Sequence, residues 1–342
     1  MRSLPYQLVH LFPATFVLIC LLHFQWMLAV PGLVFIVGIP LLDPLIGKDR
    51  GHTGEYNRSG DTLARLAPFV YTVLYLGSVA AALSYVRRFT STLVFASCVL
   101  TVGICAGLAF SAVHELIHSR KSINHALANF CGTILCFGHF EIEHLYSHHR
   151  FAGTANDTSS ARLGESLYRF LLRSIPHGVR FAWSWERRRL SRRFRQGPSL
   201  ILRNRVFQTF VGSGLLIGAV TWLLGIRSGM FLIAQAVVGI LLLMTAAYIQ
   251  HYGIVRPEKS KLTPDHIWDS HYRLSNWINF GVQRHASHHL APTKLYPRHV
   301  NYPIAPELPF GYPAMIAIAL LPPVWMRLMN PRVSQSQQSV II

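Results

Sequence analysis

Apolar runs of bilayer length constrain this chain more than any other feature. A helix needs about 20 apolar residues to cross a hydrocarbon core. Six stretches approach that length, at residues about 8–28, 31–47, 66–86, 92–113, 206–224 and 230–249. Between the first two the strongest turn signal is Pro31-Gly32, which points to a tight hairpin of helices. Of the 342 residues, 51% are hydrophobic and 13% charged, and the mean hydropathy is +0.33. That balance argues against a pair of soluble domains. The expected fold is an all-α integral membrane protein of about six transmembrane helices with a cytoplasmic helical cap. Residues 1–342 are expected to form a single membrane-embedded domain, with 114–205 and 250–342 as its cytoplasmic segments. A basic residue before the first run imitates a signal peptide. The run is long and further spans follow it, so it reads as the first anchor.

The formal charge of +18 invites a nucleic-acid reading, but no nucleic-acid motif is present. The arginines sit in loops between apolar spans, as the positive-inside rule requires. Arg87 and Arg88 fall on the opposite side and count against this arrangement. The strongly basic insertion 150–205 includes Arg187-Arg188-Arg189 and Arg192-Arg193, with Phe181, Trp183 and Trp185 among them. It reads as amphipathic helices on the membrane surface, which makes membrane lipid a partner. Residues 48–65 read as a polar loop, and 126–140 as an apolar segment too short to cross. The proline-interrupted stretch 310–325 is expected to lie against the membrane, with disorder after Pro331. No internal repeat is visible. The five cysteines, Cys20, Cys98, Cys105, Cys131 and Cys136, include no C-x-x-C pair. A zinc knuckle and a rubredoxin-type iron site are therefore not encoded.

Histidines cluster where the spans end. His114 and His118 close the fourth run, and His144, His148 and His149 follow. His285, His288 and His289 lie far downstream, and His251 ends the sixth run. Residues three or four apart share a helix face, so His114 converges with His118, His144 with His148, and His285 with both His288 and His289. Neutral imidazole suits iron, copper, zinc or nickel. Nine such residues exceed what one tetrahedral ion can use, which implies a two-metal site. His114-Glu115-Leu116-Ile117-His118 also matches the H-E-x-x-H pattern of zinc peptidases, but that reading leaves the other clustered histidines unexplained. A metal transporter would place histidines within the spans rather than at their ends. Glu115 and Glu143 adjoin these histidines, and each is expected to hold an imidazole N–H or to pair with nearby arginines. His139, five residues before His144, falls off the shared face and is expected either to support a ligand from behind or to be structural.

Four segments, H-E-L-I-H-S-R, E-H-L-Y-S-H-H, Y-I-Q-H-Y-G and Q-R-H-A-S-H-H, resemble the motifs of membrane-bound alkane hydroxylases (alkane 1-monooxygenases). That family belongs to the fatty-acid desaturase and hydroxylase superfamily. The stretch 161–170 and Pro306-Glu307-Leu308-Pro309-Phe310-Gly311-Tyr312-Pro313 extend the resemblance over roughly residues 40–333. It implies two non-haem irons on His114, His118, His144, His148, His149, His251, His285, His288 and His289. It implies O2 as co-substrate and terminal hydroxylation of an alkyl chain. It also implies electrons from NAD(P)H through a reductase and a separate rubredoxin or ferredoxin, and placement in the bacterial inner membrane with the metals on the cytoplasmic side. A fatty-acyl desaturase is the alternative outcome. Gln250 stands where the family usually has Glu, and Ser287 where it usually has Asp. Both replace a carboxylate near a ligand with a neutral group.

Overall fold

The apolar runs are helical in the computed structural model, which describes residues 8–50, 58–88, 91–194 and 199–338. In chain order the helices are α1 (Phe12–His23), α2 (Ala29–Ile46), α3 (Arg58–Val86), α4 (Thr92–Ile117), α5 (Ser122–Ile134) and α6 (140–151). They continue with α7 (Leu167–Arg193), α8 (Arg205–Leu224), α9 (Ile226–Gln250), α10 (Arg273–Ile278), α11 (His285–Leu290), α12 (Tyr312–Ala319) and α13 (Pro322–Gln338). No strand occurs among the described residues, where pairing is limited to the isolated bridges Lys48–Tyr272 and Asp269–Glu307. The fold is that of an all-α integral membrane protein.

Local chemistry explains where the helices depart from the expected spans. Among the described residues five helices, α2, α3, α4, α8 and α9, are long and apolar enough to cross a membrane. The first expected span is shorter: α1 has 12 residues, about 18 Å of rise, well below the ~30 Å of a hydrocarbon core. It ends at Phe24, and Pro31-Gly32, the expected turn of a hairpin, lies inside α2 instead. Helix α2 widens into a π turn over Val34–Gly38, just before Pro40 removes a backbone donor. Helix α3 begins at Arg58, inside the expected loop 48–65, and residues 51–57 of that loop lie outside the described residues. Helix α4 runs past 113 to Ile117, so His114 lies in its last turn. The α8–α9 connection is the single residue Gly225, whose φ of 92° favours glycine. Among the described residues the expected disorder after Pro331 is not found: α13 stays helical to Gln338, anchored by the buried Trp325, Met329 and Val333, and residues 339–342 lie outside the described residues. Helices α12 and α13 meet at 119°, where Pro322 and Pro323 end one direction and start another.

Small residues set the central packing. A Cβ at Gly103 would lie 2.5 Å from Val238, one at Gly107 2.6 Å from Leu242, and one at Gly239 2.6 Å from Ala106. The near-constant sequence offset between these partners shows that α4 and α9 run parallel and in close contact. Their C-terminal ends therefore finish together, which brings His114 level with His251. Outward-facing side chains on the spans are apolar; Trp222, for example, is 84% exposed. Such a surface is explained by lipid contact. Helix α7 is amphipathic as expected. Its buried Phe170, Ser174, Gly178, Ala182, Glu186 and Leu190 fall every fourth residue, and Glu186 is held by Arg189 (2.8 Å) and Arg205 (3.1 Å).

Candidate metal centre

The ends of α4, α6 and α9, together with α11, bring all nine clustered imidazoles together in two groups. His114, His118, His144, His149 and His288 form one; His148, His251, His285 and His289 form the other. Within each group the available nitrogens all lie within 4.8 Å of one another. His114 converges with His118, as helical spacing expects. His144 and His148 stay neighbours, with ring centroids 5.4 Å apart, but fall in different groups. Residues His144–His148 form a π turn, in which i and i+5 align instead of i and i+4. His144 Nε2 therefore meets His149 Nε2 at 3.0 Å, and His148 swings to the other group. In α11 the i, i+4 pair stays together, with His285 and His289 Nε2 3.0 Å apart. His288 leaves them and meets His149 at 3.0 Å.

These contacts fit metal coordination better than hydrogen bonding. His144 Nε2 faces both His118 (3.2 Å) and His149 (3.0 Å), and His289 Nε2 faces both His148 (3.1 Å) and His285 (3.0 Å). A neutral imidazole carries one N–H, so one nitrogen cannot donate to two neighbours. Two nitrogens held about 2.1 Å from one cation at a right angle sit about 3 Å apart. The protonation state agrees. Burial, reinforced by neighbouring imidazoles, pushes His144, His149, His285, His288 and His289 far below the usual histidine range. Burial takes His118 down to about 2 and His251 to about 3. Neutral imidazole is the form that ligates.

His148 is the exception. Burial pushes it down, but the Asp157 carboxylate outweighs burial and raises it. Its Nδ1 lies 3.1 Å from Asp157 Oδ2. Burial raises Asp157 in turn, and His148 overcomes this to hold it at about 2. A short turn presents the carboxylate, with Ser159 N and Ser160 Oγ donating to it at 3.0 and 2.6 Å. Sequence reasoning missed Asp157 because no spacing rule joins it to His148; a polar cluster after a histidine motif was the only signal. The two expected carboxylates act otherwise. Glu143 accepts from the Thr158 and Ser159 hydroxyls, and burial raises its pKa. Glu115 Oε1 lies 3.7 Å from His114 Nδ1, beyond hydrogen-bond reach. Ser287 Oγ accepts from Val300 N at 3.0 Å, fixing the strap that follows α11. Asp269, also unforeseen, receives the Ala286 N–H at 2.8 Å and so caps α11. His139 packs on Phe137 and Phe210 and joins neither group.

An apolar cavity opens onto the histidines from between α4 and α9. Its wall includes Phe35, Leu108, Phe110, Leu242, Leu243, Met244, Ala246, Ala247, Val282 and Ile316, with His114, His144, His148 and His285 at one end. Gln250, the neutral residue noted in the sequence, also faces it. Its mostly apolar wall, with histidines at one end, suits an apolar ligand.

The fatty acid desaturase family model matches residues 90–319. The alkane 1-monooxygenase of Ectopseudomonas oleovorans is 32% identical over 88% of this chain and 78% of its own length. Alkane 1-monooxygenase 1 of Alcanivorax borkumensis is 33% identical over 89% and 78%. The hydroxylase component of the xylene/toluene monooxygenase of Pseudomonas putida is 26% identical over 68% and 63%.

Proposed function

This chain belongs to the alkane hydroxylase family within the fatty acid desaturase superfamily, and from that premise we propose that it is a non-haem diiron monooxygenase acting on an alkyl chain at a terminal carbon. The observation that carries the reading is the division of nine buried or half-buried imidazoles into two groups at the mouth of one apolar cavity. In this reading His114, His118, His144, His149 and His288 hold one iron, and His148, His251, His285 and His289 hold the other. Two irons so held would supply the means to insert one oxygen atom of O2 into a C–H bond. The second atom leaves as water, with two electrons and two protons drawn from outside. The chain's own residues bind and orient: the cavity wall excludes water and packs the alkyl chain, while Asp157 fixes the tautomer of His148 through its Nδ1.

The electrons come from a separate rubredoxin or ferredoxin with its NAD(P)H-dependent reductase, and the basic loops suit an acidic donor. The same basic loops support a metal site on the cytoplasmic side of the inner membrane, with residues 1–342 acting as one membrane-embedded domain. A desaturase would use the same histidines, and product analysis separates the two outcomes. A peptidase is disfavoured because Glu115 does not line the cavity. The test is metal content and product formation of detergent-purified protein beside His285→Ala. About two irons per chain, fewer in the variant, with a primary alcohol formed from an alkane, is the expected result. A single zinc unaffected by the variant would end the diiron reading.

A further inference from the structure

Hydroxyls in the spans of this protein mostly bond their own helix. Thr72 donates to Pro68 O, Ser78 to Leu74 O and Thr245 to Leu241 O, each four residues back. That is the low-cost way to bury a hydroxyl in lipid. Ser111 does not do this. Its Oγ donates across the cavity wall to Asn279 Oδ1 at 2.5 Å. Both residues line the cavity and both are only partly buried. Ser111 precedes His114 by three residues on α4, which puts their Cβ atoms about 5–6 Å apart on one face. The bond uses the carbonyl of Asn279 and the proton of Ser111. The Asn279 amide N–H groups and the Ser111 lone pairs take no part in this bond, and both residues line the cavity.

A second polar pair lies on the same wall. Gln250 lines it, and its backbone carbonyl accepts from Trp268 N at 3.1 Å. Beside it lies the buried Tyr312 hydroxyl, the partner nearest to the Gln250 amide. A plain hydrocarbon filling this cavity would offer no partner to the remaining polar capacity of Ser111 and Asn279, and a site that leaves its polar groups unpaired discriminates against such a ligand. A ligand with one oxygen atom beside its apolar tail would accept from Asn279 and could donate to Ser111.

We propose that Ser111 and Asn279 form a recognition subsite for a single oxygen function, a hydroxyl, ether or carbonyl, carried by an otherwise apolar chain. This rests on the reading of the cavity as the substrate site. It narrows the substrate class from alkanes to oxygenated alkyl compounds. A polar handle one helical turn from His114 also fixes which carbons face the histidines, where packing alone would let an unbranched chain slide.

Binding separates this inference from the proposed activity. Dissociation constants for dodecane, 1-dodecanol and methyl undecanoate are measured by calorimetry on the full chain in nanodiscs, for wild type, Asn279→Leu and Ser111→Ala. The wild type should bind the alcohol or the ester at least tenfold more tightly than dodecane, and Asn279→Leu should bring that ratio to near one. Ser111→Ala should weaken the alcohol more than the ester, because only the alcohol has a proton to give. Each variant must match the wild type in metal content and thermal midpoint; if Asn279→Leu fails to fold, Ser111→Ala alone decides through the alcohol-to-ester ratio. A wild-type ratio near one, or a ratio indifferent to both substitutions, overturns the subsite. Preference for the oxygenated chain without turnover of any of the three would leave the subsite standing and refute the monooxygenase reading.

Discussion

The two histidine groups differ in shielding and in support. All four imidazoles of the smaller group are buried, whereas His118 and His149 of the larger group are partly exposed. The smaller group has a carboxylate at its back, Asp157 on His148 Nδ1 at 3.1 Å. The nearest acid to the larger group, Glu115, stops at 3.7 Å from His114. Four buried and oriented donors form a preorganised site, while a fifth donor compensates for a looser one. Metal occupancy should therefore be unequal: the four-histidine group holds its ion tightly, and the five-histidine group exchanges it.

Removing one imidazole from each group tests this most directly. His251→Ala leaves three donors in a buried pocket, where the lost ligand has no substitute. Stoichiometry should fall from about two ions to one, with oxidation of any substrate reduced by about a thousandfold or more, to background. His118→Ala leaves four donors beside an opening that admits water as a replacement. Its stoichiometry in excess iron should stay near two, with activity down by roughly tenfold. Atomic absorption and product chromatography measure both. Equal metal loss from the two variants would remove the asymmetry.

The supporting carboxylate is the next distinction. Asp157→Asn keeps shape and one acceptor oxygen but removes the charge that holds the His148 tautomer, and losses at such positions run about 10–100-fold in metal affinity. Glu115→Gln should change affinity by less than about threefold, because Glu115 makes no bond to a ring nitrogen. Competition with a chelating dye reads both. A larger loss from Glu115→Gln than from Asp157→Asn would reverse the assignment.

What the sequence discloses and conceals follows the same line. Helical spans, the nine histidines and the convergence of His114 with His118 are legible because apolar length and i, i+4 spacing are local properties. The partition of the histidines is not, because one π turn shifts His148 and His149 to opposite groups. The five-residue spacing that correctly set His139 aside from His144 is the very spacing that joins His144 to His149. Asp157 lies only nine residues from His148 but reaches it through a turn that no spacing rule foresees, while Asp269 and the Ser111–Asn279 bond depend on where separate segments meet. The short α1 and the helical α13 turn on packing rather than composition: Val333 is buried in a stretch whose polar residues alone suggest disorder.

Acid should distinguish the groups least, because both rely on neutral imidazoles. In metal-free protein burial holds His118 at about 2, His251 at about 3 and the neighbouring His299 at about 3. Each lies below the unfolded value of about 6.5. The unfolded chain therefore binds more protons between these limits, so stability is complete above about pH 6.5 and falls as pH drops through that window, by about 1.4 kcal/mol per pH unit per group. The Asp157–His148 pair acts with the opposite sign over part of the range. His148, raised in the folded state, is stabilising below about pH 6.5 and loses that contribution as pH rises, while Asp157, held at about 2, contributes until pH falls below about 3.9. The four-histidine group thus carries a built-in counterweight to acid that the five-histidine group lacks. Thermal midpoints of metal-free protein at pH 7.5 and 5.5 should show a drop that His118→Ala reduces, and Asp157→Asn should deepen the drop. A drop that Asp157→Asn leaves unchanged would mean that the pair is not ionic in the folded protein, and the electrostatic half of the contrast between the two groups would fall.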